Sequence, residues 1–156
     1  RGVPAVYFNS LIAARNHHEG VKYTGQARSI NRGKWTANEL AERLDCPESE
    51  SSRVFAACAE RLHTRAEQPA FHPDGPQRVV DLGPRLFAVE RSSVDGGECV
   101  ACVSNFTAEP VELELAGPFP SLANRRCYDL ISRSVREGPV LRLAAYESHW
   151  LVPVGD

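Results

Sequence analysis

A basic segment near the N-terminus holds the residues best suited to chemistry. Between Arg15 and Lys34 the sequence contains five basic residues and a single acid, Glu19; the basic residues are Arg15, Lys22, Arg28, Arg32 and Lys34. A guanidinium binds a phosphate or carboxylate group through two parallel hydrogen bonds, so a loop of this composition suits an anionic ligand. A solvated loop with scattered charges is the alternative, and composition alone leaves both interpretations open.

Other reactive residue types give weaker signals. The run His17-His18-Glu19 lacks the helical spacing that lets two histidines share one ion, so we predict no metal site and no cofactor. Five scattered cysteines do not suggest a disulfide framework. Cys99 and Cys102 form a C-x-x-C pair inside a β-like run rather than at a helix N-terminus, which favours a packing role.

Length and composition indicate an ordinary globular protein. The chain has 156 residues, of which 42% are hydrophobic and 24% charged, and its net charge is −2. This charge argues against nucleic acid or an anionic membrane as the main partner. No apolar run approaches the roughly 20 residues needed to span a bilayer. Unpaired thiols and the lack of a recognisable leader lead us to expect a cytoplasmic protein.

The first half of the sequence predicts one strand and two helices. The apolar run Val3–Phe8 is typical of a strand buried on both faces, as in a parallel sheet or barrel. A loop without clear periodicity follows over residues 9–35. Thr36 and Glu39 match a capping box that begins a short helix, and a longer amphipathic helix is predicted over Ser49–Glu67. Because the chain starts at Arg1, directly before a buried-type strand, we expect further protein upstream.

The second half predicts a β-sandwich. Residues 68–76 contain three prolines and a glycine and are predicted to be a linker between domains over 1–67 and 77–156. Beyond Pro76 the hydrophobic period becomes 2, and Tyr146 and Trp150 are predicted to belong to the core. Seven short strands separated by turn residues indicate an antiparallel β-sandwich: Gln77–Leu82, Leu86–Arg91, Glu98–Ser104, Val111–Leu115, Cys127–Ile131, Val140–Leu143 and Trp150–Val154.

Together these segments resemble a known family. Residues 2–8 resemble the eighth barrel strand of the α-amylase superfamily, glycoside hydrolase family 13. Residues 15–21 and 24–32 resemble the sucrose phosphorylase subfamily, particularly members that act on glucosylglycerate, and the motif Arg28-Ser29-Ile30-Asn31-Arg32 is the most specific part. Residues 70–73 and 145–151 are also similar to that subfamily. The resemblance implies an α/β portion followed by an all-β portion: the last strand, loop and helices of a (β/α)8 barrel, then a C-terminal β-sandwich.

The resemblance also implies an activity for the whole enzyme. Such enzymes transfer glucose from an α-glucoside to inorganic phosphate with retention, through a glucosyl-enzyme, and release α-glucose 1-phosphate. The motifs that carry the catalytic carboxylates are not found in this sequence, so we assign no catalytic residue and expect this chain alone to be inactive. By resemblance, Arg28 is the best match for a residue that contacts phosphate or the acceptor, and His17, Asn31 and Arg32 join it. His17 replaces a residue that is often acidic in relatives, which leaves the acceptor open.

Two other functions compete with a phosphorylase. One is a hydrolase or transglucosidase of the same superfamily, which would use water or a sugar as acceptor and has no need for cationic phosphate ligands. The other is a free-standing carbohydrate-binding β-sandwich. The run Val3–Phe8 argues against the second, because a strand buried on both faces requires sheet neighbours.

Overall fold

The computed structural model describes residues 5–123 and 126–154. The chain forms two compact units that divide between His63 and Thr64, inside the helix Glu50–Glu67. We call residues 5–63 the N-terminal unit and residues 64–154 the sandwich unit, and describe each by itself.

The N-terminal unit is helical. Its helices are α1 (Phe8–Leu11), α2 (His18–Thr24), α3 (Ala37–Asp45) and the part of α4 (Glu50–Glu67) before Thr64, with a 3-10 turn over Ala27–Asn31. The predicted capping box is confirmed at the start of α3. The Thr36 hydroxyl accepts from the Glu39 amide at 3.2 Å, and the Glu39 carboxylate accepts from the Thr36 amide at 2.8 Å. Two orphan N–H groups of the helix terminus are thereby satisfied.

Two features of the N-terminal unit differ from the sequence prediction. Over its described residues the strand predicted for Val3–Phe8 is not formed, although Tyr7 is extended, because residues 5–7 pair with no strand and Phe8 begins α1. A strand of this kind needs neighbours to satisfy its backbone groups. The segment predicted as an irregular loop, residues 9–35, contains most of α1, all of α2 and the 3-10 turn. The polar composition of α2 and of the 3-10 turn hides the helical period.

The sandwich unit is antiparallel throughout its described pairings. A six-stranded sheet has the order β1-β2-β3-β8-β5-β6, and β4 pairs with β7 in a second, two-stranded sheet. The strands are β1 (Gln77–Val80), β2 (Leu86–Ser92), β3 (Cys99–Asn105), β4 (Val111–Glu114), β5 (Cys127–Asp129), β6 (Ser134–Arg136), β7 (Val140–Leu143) and β8 (Ser148–Pro153). All seven predicted strands are present, with ends shifted by up to two residues. β6 was not predicted, because a strand of three residues with an exposed Val135 shows no alternation.

Both faces of the larger sheet are covered. Ala101, Val103 and Leu151 point to one face, where they pack with Leu141 and Leu143 of the second sheet in the main core. The opposite face carries Val100, Cys102 and Trp150, and the 3-10 turn Pro69–Phe71 covers it with Ala70 and Phe71. The ring centroids of Phe71 and Trp150 are 4.9 Å apart. Alternating side chains along β3 and β8 therefore serve two hydrophobic clusters.

Tyr146 does not belong to this core. Its side chain is 69% exposed and its φ is +57°, in the left-handed region that bulky residues rarely adopt. The turn before β8 turns this ring outward, so the prediction of a core Tyr146–Trp150 pair is wrong for Tyr146 and right for Trp150. Over the described residues, no helix has the length and apolar character that crossing a membrane requires.

Candidate functional site

A cavity of about 1120 Å³ lies within the N-terminal unit. Its wall is built from the segment between α1 and α2, from α2, from the 3-10 turn and the residues that follow it, from the last turn of α3 and from the beginning of α4. Four cationic side chains line it, against two carboxylates, Glu19 and Glu50; the cations are Arg15, Arg32, Lys34 and Arg43. The aromatic rings of Tyr23 and Trp35 complete the wall. The cavity thus combines a net positive lining with flat apolar surfaces.

The two carboxylates of the wall are already engaged. Glu19 pairs with Lys22 at 2.8 Å, and Glu50 pairs with Arg15 at 3.6 Å. Within the part of the chain that the structure describes, neither Arg32 nor Lys34 forms an ion pair. Their positive charge therefore remains available to an anion that enters the cavity.

Arg32 and His17 are the predicted site residues that line the cavity. The His17 amide donates to the Ile30 carbonyl at 2.5 Å, which brings the beginning of α2 against the 3-10 turn. The imidazole packs over Gly20, where an added Cβ would lie 2.3 Å from His17 Nδ1. A side chain at position 20 would consequently displace His17, so the small glycine keeps the ring in the wall.

Arg28 and Asn31, the other two predicted residues, do not belong to the lining. The exposed Arg28 side chain donates from Nε to Gln26 Oε1 at 3.2 Å. Asn31 contributes its backbone, since its carbonyl accepts from Tyr7 Oη at 3.0 Å and from Asn9 Nδ2 at 2.9 Å. Residues 28–32 are thus divided between an outer Arg28 and an inner Arg32.

One lining residue, Arg43, and one supporting residue, Asn9, were missed from the sequence. Arg43 of α3 reaches the cavity, and its guanidinium carbon lies 4.4 Å from the centre of the Trp35 ring, a cation–π contact. Asn9 is only 7% exposed, and its amide contacts three backbone and side-chain groups of residues 31–35. The sequence signal that could have indicated a buried role for Asn9 is its position directly after an apolar run.

The cysteine pair of the sandwich unit offers no reactive thiolate. Cys99 and Cys102 lie on β3, and burial raises the pKa of Cys102 to about 12. Burial also raises the pKa of Cys99, whose thiol contacts Glu90 and Ser121. A protonated thiol is a poor nucleophile and metal ligand. Among the described residues, no three His, Cys, Asp or Glu side chains converge as a metal site would require.

Sequence comparison identifies a consistent set of relatives. A glucosylglycerate phosphorylase of Allomeiothermus silvanus is 37% identical over 110 residues, which are 70% of this chain and 19% of the relative. One of Spirochaeta thermophila is 33% identical over 168 aligned positions, covering 99% of this chain and 28% of the relative. A sucrose phosphorylase of Streptococcus mutans is 28% identical and covers 61% of this chain. No protein-family model matches.

Solved structures support the fold. AmyP, solved in complex with maltose, matches with a TM-score of 0.57 at 19% identity, over 69% of this chain and 22% of that one. The trehalulose synthase of Pseudomonas mesoacidophila matches with a TM-score of 0.54 at 24% identity, over 72% of this chain and 19% of that one. The chain therefore shares its fold with part of each of these two enzymes, in agreement with the predicted fold class.

These relatives confirm the resemblance found in the sequence. Over most of its length, the chain is similar to glucosylglycerate and sucrose phosphorylases. It spans between about a fifth and three tenths of the length of the glucosylglycerate phosphorylases that it matches.

Proposed function

We propose that this chain is the C-terminal part of a retaining α-glucoside phosphorylase that releases α-glucose 1-phosphate. The observation that carries the proposal is the cavity in which Arg32 and Lys34 are cationic and have no carboxylate partner among the described residues. The similarity to glucosylglycerate phosphorylases supports the same activity. We also keep, as proposals, the domain boundaries at 1–67, 68–76 and 77–156 and a cytoplasmic location.

The surface of the N-terminal unit supports its role as part of a larger domain. Phe55 and Leu62, on the apolar stripe of α4, are 39% and 38% exposed, and Val6 and Phe8 are about half exposed. Exposed apolar side chains on one stripe of a helix mark a surface that another part of a protein covers. Further barrel strands and helices would supply that cover, in agreement with the share of the relatives that the chain spans.

In the proposed reaction, the cavity binds the attacking phosphate. A carboxylate elsewhere in the enzyme holds the glucosyl group as an ester at C1. A phosphate oxygen then forms the new bond to C1 while the ester bond breaks and the carboxylate leaves with its electron pair. This step inverts C1 a second time, so the two steps together retain the configuration. Arg32 and Arg28 would bind the phosphate, Arg32 from the cavity wall and Arg28 from outside it. Cationic side chains fixed at this position neutralise the negative charge of phosphate. Water, the nucleophile of a hydrolase, carries no charge and does not need them.

The same cations suit a carboxylate acceptor. Three of the relatives are glucosylglycerate phosphorylases, and glycerate is a small hydroxy acid whose carboxylate binds a guanidinium as phosphate does. We therefore propose α-glucosylglycerate as the substrate class, with His17 and Asn31 on the acceptor side. A neutral acceptor such as fructose would gain nothing from the positive lining.

The test uses the enzyme that contains this chain. Replacing Arg32 or Arg28 with Ala should lower the apparent affinity for phosphate in glucose 1-phosphate formation by about ten- to hundredfold, because a charge-assisted contact is lost. Hydrolysis of an activated α-glucoside should change much less, since phosphate takes no part in forming the glucosyl-enzyme. Lysine should not fully restore phosphate use, because an ammonium lacks the planar fork.

Two outcomes would contradict the proposal. An unchanged phosphate response in both variants would remove the phosphate role of the cavity. Equal loss of phosphorolysis and hydrolysis would instead indicate a scaffold role and favour a hydrolase or transglucosidase. The 156-residue chain by itself should release no glucose 1-phosphate from α-glucosides above a blank, since it carries no assigned catalytic carboxylate pair.

A further inference from the structure

We propose that Asn9 is the positioning residue of the cavity, a role that rests on the proposed function and adds to it. All five basic residues of the predicted loop follow Asn9 and are exposed, yet Asn9 itself is 7% exposed. A buried amide is costly unless its donors and acceptor are satisfied. The hydrogen-bond partners of the Asn9 amide therefore indicate its role.

Among the described residues, the three partners of the Asn9 side chain lie within residues 31–35. Its Nδ2 donates to the carbonyls of Asn31 at 2.9 Å and of Gly33 at 3.1 Å, and its Oδ1 accepts from Trp35 Nε1 at 3.2 Å. The two carbonyls belong to residues directly before Arg32 and Lys34. One amide thus fixes the backbone on the N-terminal side of both cations of the cavity wall.

The third bond extends this control to a second element. Trp35 lines the cavity, and the Arg43 guanidinium of α3 lies over its ring at 4.4 Å. Because the indole N–H is held by Asn9, the ring presents a fixed face to Arg43. Three cationic side chains of the wall, Arg32, Lys34 and Arg43, are thereby placed by one buried residue. Such support matters because an ion-binding group that is free to move loses affinity.

The alternative is that Asn9 only stabilises the unit, and the choice of variants separates the two roles. Asn9→Ala removes all three bonds. Asn9→Asp keeps an acceptor for the Trp35 indole but replaces the two donated bonds with repulsion between oxygens. Ser10→Ala is the matched control, because Ser10 lies in the same short helix α1 and its side chain makes none of these contacts.

The measurement is a titration of the ¹⁵N-labelled chain with inorganic phosphate, followed by NMR. The chain has two tryptophans, so the Trp35 indole signal reports on the cavity and the Trp150 signal on the sandwich unit. We expect Ser10→Ala to match the wild type. Asn9→Ala should bind phosphate about tenfold more weakly and shift the Trp35 indole signal. Asn9→Asp should retain the Trp35 signal while also losing about tenfold in phosphate affinity. The Trp150 signal should stay in place in all variants.

Phosphate affinity equal to the wild type in either Asn9 variant would overturn the inference. If Asn9→Ala unfolds the N-terminal unit, the Asp variant decides. If the wild-type chain gives no phosphate-dependent shift, that result contradicts the phosphate role proposed above. In that case an unmoved Trp35 signal in Asn9→Ala overturns the positioning role, and a moved one supports it independently of phosphate.

Discussion

The two units of this chain hold their hydrophobic residues in different ways. In the sandwich unit, eleven buried side chains form one continuous core, and a second cluster covers the other face of the larger sheet. In the N-terminal unit, Ile12 is the single buried hydrophobic residue among those described, while Tyr23, Phe55 and Leu62 are exposed. The sandwich unit therefore has a hydrophobic core of its own, whereas the helical unit surrounds a charged cavity with few buried apolar side chains.

The largest expected difference between the units is in resistance to protease. Limited trypsin digestion should cleave within residues 5–35 at least about ten times faster than anywhere in 77–154, because cleavage follows local opening and opening is cheap where few apolar contacts are buried. The fragments are identified by mass spectrometry over a time course. If cleavage within the sandwich unit came first, the contrast between the two units would be wrong.

A matched pair of leucines makes the same comparison energetically. Leu143 of β7 is 1% exposed in the main core, and Leu62 of α4 is 38% exposed. Leu143→Ala should lower the free energy of unfolding of the sandwich unit by about 2–5 kcal/mol through lost burial and a cavity. Leu62→Ala should cost only about 0.5 kcal/mol.

Urea unfolding measures both changes in free energy. Trp150 fluorescence in a Trp35→Phe background reports on the sandwich unit, and Trp35 fluorescence in a Trp150→Phe background reports on the N-terminal unit. Similar losses in the two variants would show that α4 buries more in solution than its exposed stripe indicates.

A buried, hydrogen-bonded carboxylate gives the sandwich unit a pH dependence. Asp129 and His149 are 0% and 1% exposed, and Oδ2 of Asp129 lies 2.7 Å from Nδ1 of His149. Burial alone would raise the pKa of Asp129, but hydrogen bonds from His149, from Ser132 and from the Trp150 and Ile131 amides lower it well below its usual range. The carboxylate therefore contributes stability above its unfolded pKa of about 3.9, and that contribution is lost as pH falls towards the folded value.

Asp129→Asn tests the role of this carboxylate. At neutral pH the variant should be less stable by about 1.5–3 kcal/mol, since charge-assisted bonds are replaced by weaker ones. Its stability should also fall less steeply than that of the wild type below about pH 4. Asp45→Asn, at the exposed end of α3, is the control and should change stability by no more than about 0.5 kcal/mol. Parallel stability curves for Asp129→Asn and the wild type in acid would reject the role of the carboxylate.

The two units also differ in how far their structures follow from sequence. The strands were predicted because alternation along β3 or β8 is a local pattern that survives into the structure. The cavity could not be predicted in the same way. The hydrogen-bond partners of Asn9 lie 22 to 26 residues further along the chain. Arg43 reaches the cavity wall from a different helix. Neither contact could therefore be predicted from a local sequence pattern. The resemblance supplied Arg28 and Arg32, but only the structure distinguishes the inner arginine from the outer one.

The central claim is that phosphate binds in the cavity of the N-terminal unit and not in the sandwich unit, and mapping the phosphate site tests it most directly. Inorganic phosphate is titrated into the ¹⁵N-labelled wild-type chain with assigned backbone signals, and chloride at equal ionic strength is the control. The account predicts saturable shifts that centre on residues 15–20, 29–35 and 43, with the signals of residues 77–154 unchanged. Absence of saturable shifts in those segments, or shifts of the same size in the sandwich unit, would contradict it.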